Sequence, residues 1–406
     1  MPKNQLRLVG AVAIGLASIL GAGVFVVFRE AYSISSGLIF FALGLAAITA
    51  TLNAASVYRL AQAVDRPGGV YSYSRVYLND SVSFLAGFSF VFGKIASIAA
   101  IALVFEEYVL PSVGFWPAVS AIALLTLINV MGINRTALIA AVLSLLTVTF
   151  LVATIVATAS SSSENRLVEA LGAQPPQVGF VAVIQAASLI FFAFAGYARV
   201  ATLGSEVAKP TRNIPRAIVI SLTVVIAIYF SLAFELLQKF GAGLSKAQAP
   251  VAQLARAAFS DMPLWLPVTI ASLASLGSML ALLAGVSRTA ATMSEDHELP
   301  KFAASRNRFG APWVAEVFIA LGAIVLVGIG DLSWVIGFSS FSVLFYYAIG
   351  HHSAFRQAKT WGFQRVFAIV GFLLCATLSA AAPGPAVPVS LAVLALALVA
   401  RKLLRR

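Results

Sequence analysis

The chain has 406 residues, of which 60% are hydrophobic and only 10% are charged, and its mean hydropathy is +0.96. Soluble globular chains are usually about half apolar and about one-quarter charged, so this composition excludes a soluble protein and predicts an all-α polytopic membrane protein. The formal net charge of +12 does not indicate a nucleic-acid partner, because the basic residues are dispersed along the loops between apolar segments.

Cysteine and histidine usage argues against a metal or disulfide protein. The single cysteine, Cys375, excludes an intrachain disulfide, and His297, His351 and His352, which we place in cytoplasmic loops, show no metal-ligand spacing. A membrane enzyme would need a nucleophile with a base, paired aspartates or a metal cluster within its spans. The sequence shows none of these, so we expect neither an enzyme nor a cofactor.

Apolar stretches of about 20 residues, the length that crosses a bilayer, recur along the whole chain. We predict twelve transmembrane helices, at residues 7–28, 37–61, 82–105, 115–132, 137–158, 180–203, 215–237, 265–290, 313–330, 332–350, 363–381 and 386–401. The first follows a short polar head without a small-residue cleavage site, so we expect a retained helix and not a signal peptide.

The distribution of basic residues predicts the orientation. Counted in alternate loops, twenty of the 27 Lys and Arg residues lie on one side and five on the other, while Lys94 and Arg199 lie within spans. Cytoplasmic loops carry the excess of Lys and Arg, which places both termini in the cytoplasm. The compact loops fit a prokaryotic plasma membrane.

An external loop divides the chain into two halves. Residues 1–158 hold the first five spans, residues 159–179 form the connecting loop, and residues 180–355 hold the next five. Residues 356–406 add two further spans and a basic tail. The sixth span then has the place of the first in an inverted half.

Both halves begin with a span that contains small residues unfavourable to a helix. Gly21-Ala22-Gly23 interrupts the first span and Ala195-Gly196 the sixth. Taken alone, the first triplet is more typical of a helix-packing face, since small residues let helices approach closely. As a pair, interruptions at corresponding positions of two halves are typical of a transporter's midplane site. Freed backbone N–H groups suit a carboxylate and freed carbonyls suit an ammonium, so the pair favours a zwitterion.

Several motifs resemble those of the amino acid–polyamine–organocation (APC) permeases. They are, in chain order, residues 21–25 (GAGVF), 66–73 (RPGGVYSY), 191–197 (FFAFAGY), 206–216 (EVAKPTRNIPR), 296–302 (DHELPKF) and 310–313 (GAPW). The loop at 206–216 is the most specific match. The resemblance implies a LeuT-type 5+5 inverted repeat with broken helices 1 and 6, two extra helices and transport by alternating access.

The resemblance also implies where an amino acid would bind, between helices 1, 3, 6 and 8. Its carboxylate would meet the backbone of residues 21–23, and its ammonium would meet carbonyls near Ile19, Phe192 and Ala195. Phe192 would be an aromatic gate, although a Phe in a span is usually a core residue. The candidate substrate-binding residues are Ser18, Ile19, Gly21, Ala22, Gly23, Lys94, Ile98, Phe192, Phe194, Ala195, Gly196 and Tyr197.

The sequence departs from the family pattern beside the second break. Many members have a glutamate two residues after the sixth-helix glycine, where this chain has Ala198 followed by Arg199. A desolvated cationic side chain would need a buried acid partner, and we find no acidic residue in the middle of any span. We therefore expect neutral amino acids and not arginine, lysine or polyamines. An amine or polyamine permease and an amino acid exporter are the alternatives, and import, export and exchange are not distinguished.

Lys94, near the centre of the third span, is the candidate for coupling. A charge there costs roughly 2.5–3.5 kcal/mol on insertion scales. It could bond carbonyls of a broken helix as a structural residue, exchange a proton with transport, or pair with the substrate carboxylate. Several proton-coupled members of the family have a lysine in helix 5, and Thr147, at the corresponding position here, is a further coupling candidate. We expect H⁺ as the coupling ion.

Sodium is the second choice of coupling ion. Ser275 and Ser278 share a face of the eighth span and could offer hydroxyl ligands to Na⁺ near the first span. Serines more often bond their own helix backbone, which disfavours this alternative. The expected partners are the small-molecule substrate and the lipid bilayer, and a homodimer is compatible with the sequence.

Overall fold

The computed structural model describes residues 7–64, 68–109, 113–131, 136–160, 165–176, 179–196, 207–259, 262–263 and 265–404. Its α-helices, numbered in chain order, are α1 Leu8–Ile19, α2 Gly23–Ser35, α3 Ile39–Ala63, α4 Val70–Tyr77, α5 Asp80–Val109, α6 Trp116–Val130, α7 Thr136–Ala159, α8 Leu167–Gly172, α9 Gly179–Phe194, α10 Pro210–Phe240, α11 Pro250–Ala258, α12 Trp265–Glu295, α13 Trp313–Ile329, α14 Leu332–Gln357, α15 Phe363–Ala380 and α16 Ala386–Leu404. Short 3-10 helices lie at Ser36–Leu38, Gly241–Lys246 and Lys301–Ala304.

The helices have the length and composition of membrane spans. Within the described ranges, seven helical segments are long and apolar enough to cross a membrane, and four shorter apolar helices accompany them. The predicted class, an all-α multi-pass membrane protein, is confirmed. The number of twelve crossings and the inverted repeat stay predictions.

Short helices also occur where we predicted only loops. α4 lies between the second and third predicted spans, and α8 and α11 lie in the predicted external loops. Gly68 and Gly69, with φ of 114° and 62°, turn the chain into α4, and Val70 and Tyr71 are fully buried there. A positive φ is cheap only for glycine, so these two residues make the close turn possible.

The prediction that His351 and His352 lie in a loop is wrong. Both are in α14, and His351 is only 1% exposed. Its Nδ1 lies 2.9 Å from Ser56 Oγ and its Nε2 lies 2.6 Å from Asn53 Oδ1, both on α3. A buried polar ring is tolerated when its hydrogen bonds are satisfied, so the helix continues past the end of the apolar stretch.

The long helix α5 lies at the centre of the molecule. It packs against α6, α12, α13 and α14, while α9 packs against α2 and α3, and α1 against α10. The middle of α5 is fully enclosed, with Ile98, Ala99 and Ala100 at 0% exposure. The two last helices, α15 and α16, are much less buried by the rest of the chain. Of the interrupted helices, α2 and α9 pack against each other, α1 packs against α7 and α10, and α9 also contacts α15.

Candidate functional site

The first predicted interruption is a gap between two helices. α1 ends at Ile19 and α2 begins at Gly23, so residues 20–22 link them. Within the link, the Gly21 N–H donates to Ile19 O at 2.9 Å. No side chain caps the first turn of α2, so its leading N–H groups have no side-chain acceptor.

A helix also ends at the position of the second predicted interruption, which is called the second gap. α9 ends at Phe194, and the chain turns at Ala195 and Gly196. The Ala195 N–H donates to Phe192 O at 3.3 Å. Tyr197, Ala198 and Arg199 lie outside the described residues, as does the chain to residue 206. Ser18 belongs to α1, but its side chain is outside the described part.

The two gaps lie against each other. A Cβ built on Gly23 would be 3.0 Å from Ala193 Cα and 3.3 Å from the Phe192 ring, so only glycine allows this approach of α2 to α9. A Cβ on Gly21 would collide with Ser278 Oγ of α12. The structure therefore brings the interrupted first and sixth spans and the eighth span together.

Tyr229 of α10 links both gaps. Its hydroxyl is fully buried and lies 2.9 Å from Ala193 O and 3.4 Å from Ile19 O. Its ring packs edge-on against Phe194 at 5.0 Å and Phe28 at 5.8 Å between centroids. The sequence does not identify this residue, because a tyrosine in an apolar span gives no signal beyond that of a core aromatic.

Lys94 reaches the second gap from α5. Its Nζ donates to Ala195 O at 3.2 Å, and the residue is only 5% exposed. Among the residues that the structure describes, no carboxylate lies within ion-pair distance of this nitrogen. Lys94 therefore donates to a carbonyl that lies just past the end of a helix.

The other predicted contact residues are buried around these gaps. Ile19 is 3%, Phe192 8%, Phe194 0% and Ile98 0% exposed. Among the described residues, Phe192 O and Ala195 O each accept one protein hydrogen bond, so each has a lone pair for a second donor. Ile19 O accepts the Gly21 N–H and faces the Tyr229 hydroxyl, so it can accept a further donor when Tyr229 donates to Ala193 O.

Two of the coupling candidates, Ser275 and Thr147, bond their own helices. Ser275 Oγ donates to Ala271 O at 2.8 Å and Thr147 Oγ1 donates to Leu143 O at 2.9 Å. This is the common arrangement for hydroxyl residues in apolar helices. Ser278 is the coupling candidate whose hydroxyl approaches the first gap.

Charged contacts tie the helices together at both ends. Arg29 of α2 pairs with Glu107 of α5, which also accepts the Ala249 N–H at 3.3 Å. At the opposite end, Tyr71 of α4 donates to Asp296 Oδ2 at 2.8 Å, and Arg75 pairs with the same carboxylate at 3.0 Å. Burial and the bond to Asp296 raise the pKa of Tyr71, so its hydroxyl stays a donor.

Glu316, in the first turn of α13, is a second buried residue that the sequence does not identify. It is 3% exposed, and its Oε1 accepts a hydrogen bond from Ser287 of α12 at 3.2 Å. Its position near a predicted span end resembles that of an ordinary interfacial acid. Only the packing of α12 on α13 shows that it is buried.

Multi-pass helices interrupted at two adjoining segments are the architecture of a membrane transporter. Over residues 6–400 the chain matches the family described as amino acid permease. It is 39% identical to uncharacterized transporters of Mycobacterium tuberculosis and Mycobacterium bovis, over 97% of this chain and 89% of theirs. The chain belongs to the amino acid permease family, and the APC resemblance is confirmed.

More distant relatives carry named activities. The chain is 25% identical to cationic amino acid transporter 7, chloroplastic, of Arabidopsis thaliana, over 91% of this chain and 68% of the relative. It is 24% identical to the serine/threonine exchanger SteT of Bacillus subtilis, over 90% of this chain and 86% of the relative. The family and these relatives are transporters and not enzymes.

Proposed function

We propose that the protein is a secondary active transporter that carries a neutral amino acid by alternating access. The observation that supports this most directly is the contact between the two helix gaps, with Gly23 against Ala193 and the Tyr229 hydroxyl between Ile19 O and Ala193 O. Gaps in a bilayer-spanning helix survive only where protein encloses them or where they line a cavity.

In this proposal the gaps hold the charged ends of the amino acid. The carboxylate meets backbone N–H groups of residues 21–23 at the start of α2, where the helix dipole favours an anion. The ammonium donates hydrogen bonds to the carbonyl oxygens of Ile19, Phe192 and Ala195. Phe192 covers the bound molecule, and Ile98 and Phe194 line the site.

The choice of a neutral side chain follows from the charges near the gaps. Lys94 is there, and the described residues offer no carboxylate beside it. A second cation on the substrate would therefore be desolvated without a counterion. Cationic amino acids are the second candidate, because the Arabidopsis relative is named for them, whereas the Bacillus relative is named for serine and threonine. Amine or polyamine transport and export are less favoured alternatives.

The finer architecture and coupling belong to the same proposal. Residues 1–158 and 180–355 form the two inverted repeats of a LeuT-type fold, joined by residues 159–179, and residues 356–406 add helices 11 and 12. Lys94 is the candidate for H⁺ coupling, and Thr147, Ser275 and Ser278 are those for the less favoured Na⁺. We place the protein in the plasma membrane with both termini in the cytoplasm.

A binding survey tests the substrate class. Thermal unfolding of the purified protein is measured with each of the twenty amino acids, since a ligand that binds the native state raises the unfolding temperature with its concentration. We expect one or a few neutral amino acids to raise it and arginine and lysine to have no effect. A larger shift with arginine or lysine than with any neutral amino acid would establish the second candidate instead.

A further inference from the structure

Lys94 donates a hydrogen bond to the Ala195 carbonyl, and the proposed function assigns the same carbonyl to the ammonium of the substrate. Ala195 is the first residue after α9, and the last carbonyls of a helix have no partner within that helix. Lys94 Nζ donates to this carbonyl at 3.2 Å. An ammonium has three N–H donors, and within the described residues this is the one hydrogen bond that Lys94 makes.

We propose that Lys94 supplies a built-in ammonium that occupies the Ala195 carbonyl in the substrate-free protein and is displaced by the ammonium of the amino acid. The proposal rests on the proposed function. Two cations that share one carbonyl in a desolvated site repel each other strongly, because the low local dielectric does not screen them. Binding of an amino acid therefore requires Lys94 to leave.

The displaced lysine has a partner on the same substrate. Its side chain is long and flexible, and a buried ammonium needs an anion. The carboxylate of the amino acid is the anion that arrives with the competing ammonium. A bound amino acid thus breaks the hydrogen bond between Lys94 and Ala195 O and replaces it with two contacts. Its ammonium donates to Ala195 O, and its carboxylate lies beside Lys94.

Lys94 then determines how strongly the site selects the amino group. A 2-hydroxy acid has the same carboxylate but no ammonium, so it binds as an anion while Lys94 keeps its place. Removing the charge of Lys94 takes the counterion from the carboxylate of both ligands, but it frees the Ala195 carbonyl for the amino acid alone. The affinity for the amino acid therefore rises relative to the affinity for the hydroxy acid.

The experiment measures dissociation constants for L-alanine with L-lactate and for L-phenylalanine with L-phenyllactate on purified full-length protein. For each pair, we divide the dissociation constant of the hydroxy acid by that of the amino acid. In Lys94→Met this ratio should be at least about tenfold higher than in the wild type. Lys94→Arg, which keeps the charge, should leave the ratio within about threefold. Ile101→Met, two turns along the buried face of α5, controls for altered packing.

If Lys94→Met does not fold, Lys94→Gln gives the same test. Its amide can still donate to Ala195 O but carries no charge, so the ratio should again rise. An unchanged or smaller ratio in the uncharged variants, with amino acids still binding, overturns this inference and leaves the proposed function standing. Absence of binding of these acids and of every other amino acid to the wild type overturns both.

Discussion

The hydroxyl group of Tyr229 is the smallest feature on which the arrangement of the two helix gaps depends. It contacts Ala193 O on α9 and Ile19 O at the end of α1. A hydroxyl has one proton, so it donates to one carbonyl at a time, and it faces both. The residue thereby joins the two interrupted helices through a third helix, α10.

Replacing Tyr229 with Phe removes this hydroxyl and keeps the ring on Phe194 and Phe28. We expect the free energy of unfolding to fall by about 1 kcal/mol, the usual net value of a hydrogen bond, and the affinity for the amino acid to fall about tenfold. Thermal unfolding and ligand titration measure the two effects.

Tyr32→Phe is the matched control. Tyr32 is 2% exposed and its hydroxyl donates to Ala170 O at 2.9 Å, away from the gaps. It should lose similar stability with unchanged affinity. An equal loss of affinity in both variants would mean that Tyr229 supports only the general packing.

For Lys94, the sequence predicts the importance of the residue but does not decide its role. Its charge in the middle of an apolar span identified it, because charges there are costly and rare. The sequence left three roles, and the bond to Ala195 O corresponds to the first of them, a cation on the carbonyl of a broken helix. Tyr229 carried no such signal, since aromatic residues fill the cores of most spans.

At the scale of helices, the sequence predicted the two interruptions but missed the short helices. Small residues in an apolar span identify a break, so the gap at residues 20–22 and the turn at Ala195 and Gly196 were expected. α4, α8 and α11 have no long apolar run. The prediction places His351 in a loop because polar residues usually mark the end of a span, whereas Ser56 and Asn53 satisfy its ring within the bundle.

The approach of α2 to α9 can be tested at Gly23. A Cβ there would be 3.0 Å from Ala193 Cα, a backbone atom that cannot rotate away. We expect Gly23→Ala to cost about 1–3 kcal/mol of stability through overpacking and to weaken amino acid binding at least about tenfold. Thermal unfolding and ligand titration provide the measurement.

Gly44→Ala is the control for that substitution. Gly44 lies within α3, and a Cβ there meets nothing within 4 Å. Alanine favours a helix over glycine by up to about 1 kcal/mol, so this variant should be as stable as wild type or slightly more stable. Full binding by Gly23→Ala would refute the assignment of the gap to the site.

At the scale of the whole molecule, an ion pair with a buried carboxylate links the last helix to the core. Arg401 of α16 contacts both carboxylate oxygens of Glu298, at 2.6 and 3.0 Å, and the Glu298 side chain is 1% exposed. Removing the cation from a buried pair is expensive, so we expect Arg401→Gln to lower the free energy of unfolding by about 3–5 kcal/mol. Denaturant or thermal unfolding measures this.

The exposed pair of Arg306 and Glu295 gives the comparison. Both side chains are 51% exposed, so Arg306→Gln should cost about 0–1 kcal/mol. Neither substitution touches the gaps, so amino acid affinity should be unchanged in both. Equal effects of the two substitutions on stability would show that the Glu298 contact is as weak as a surface pair.

The orientation in the membrane is a prediction for the whole chain. Twenty basic residues on one side and five on the other place the C-terminus in the cytoplasm. A green fluorescent protein fused to the C-terminus should fluoresce in a bacterial host, while an alkaline phosphatase fusion at the same point should be inactive. The reverse pattern would invert the predicted topology.

Transport by purified protein in proteoliposomes tests the central claim most directly. With the neutral amino acid that binds most tightly, we expect saturable uptake of the radiolabelled compound, accelerated by the unlabelled compound inside. Uptake should be lost in Gly23→Ala and retained in Gly44→Ala. Uptake that does not saturate, or that is faster for arginine than for every neutral amino acid, would contradict a neutral amino acid carrier with its site at the two helix gaps.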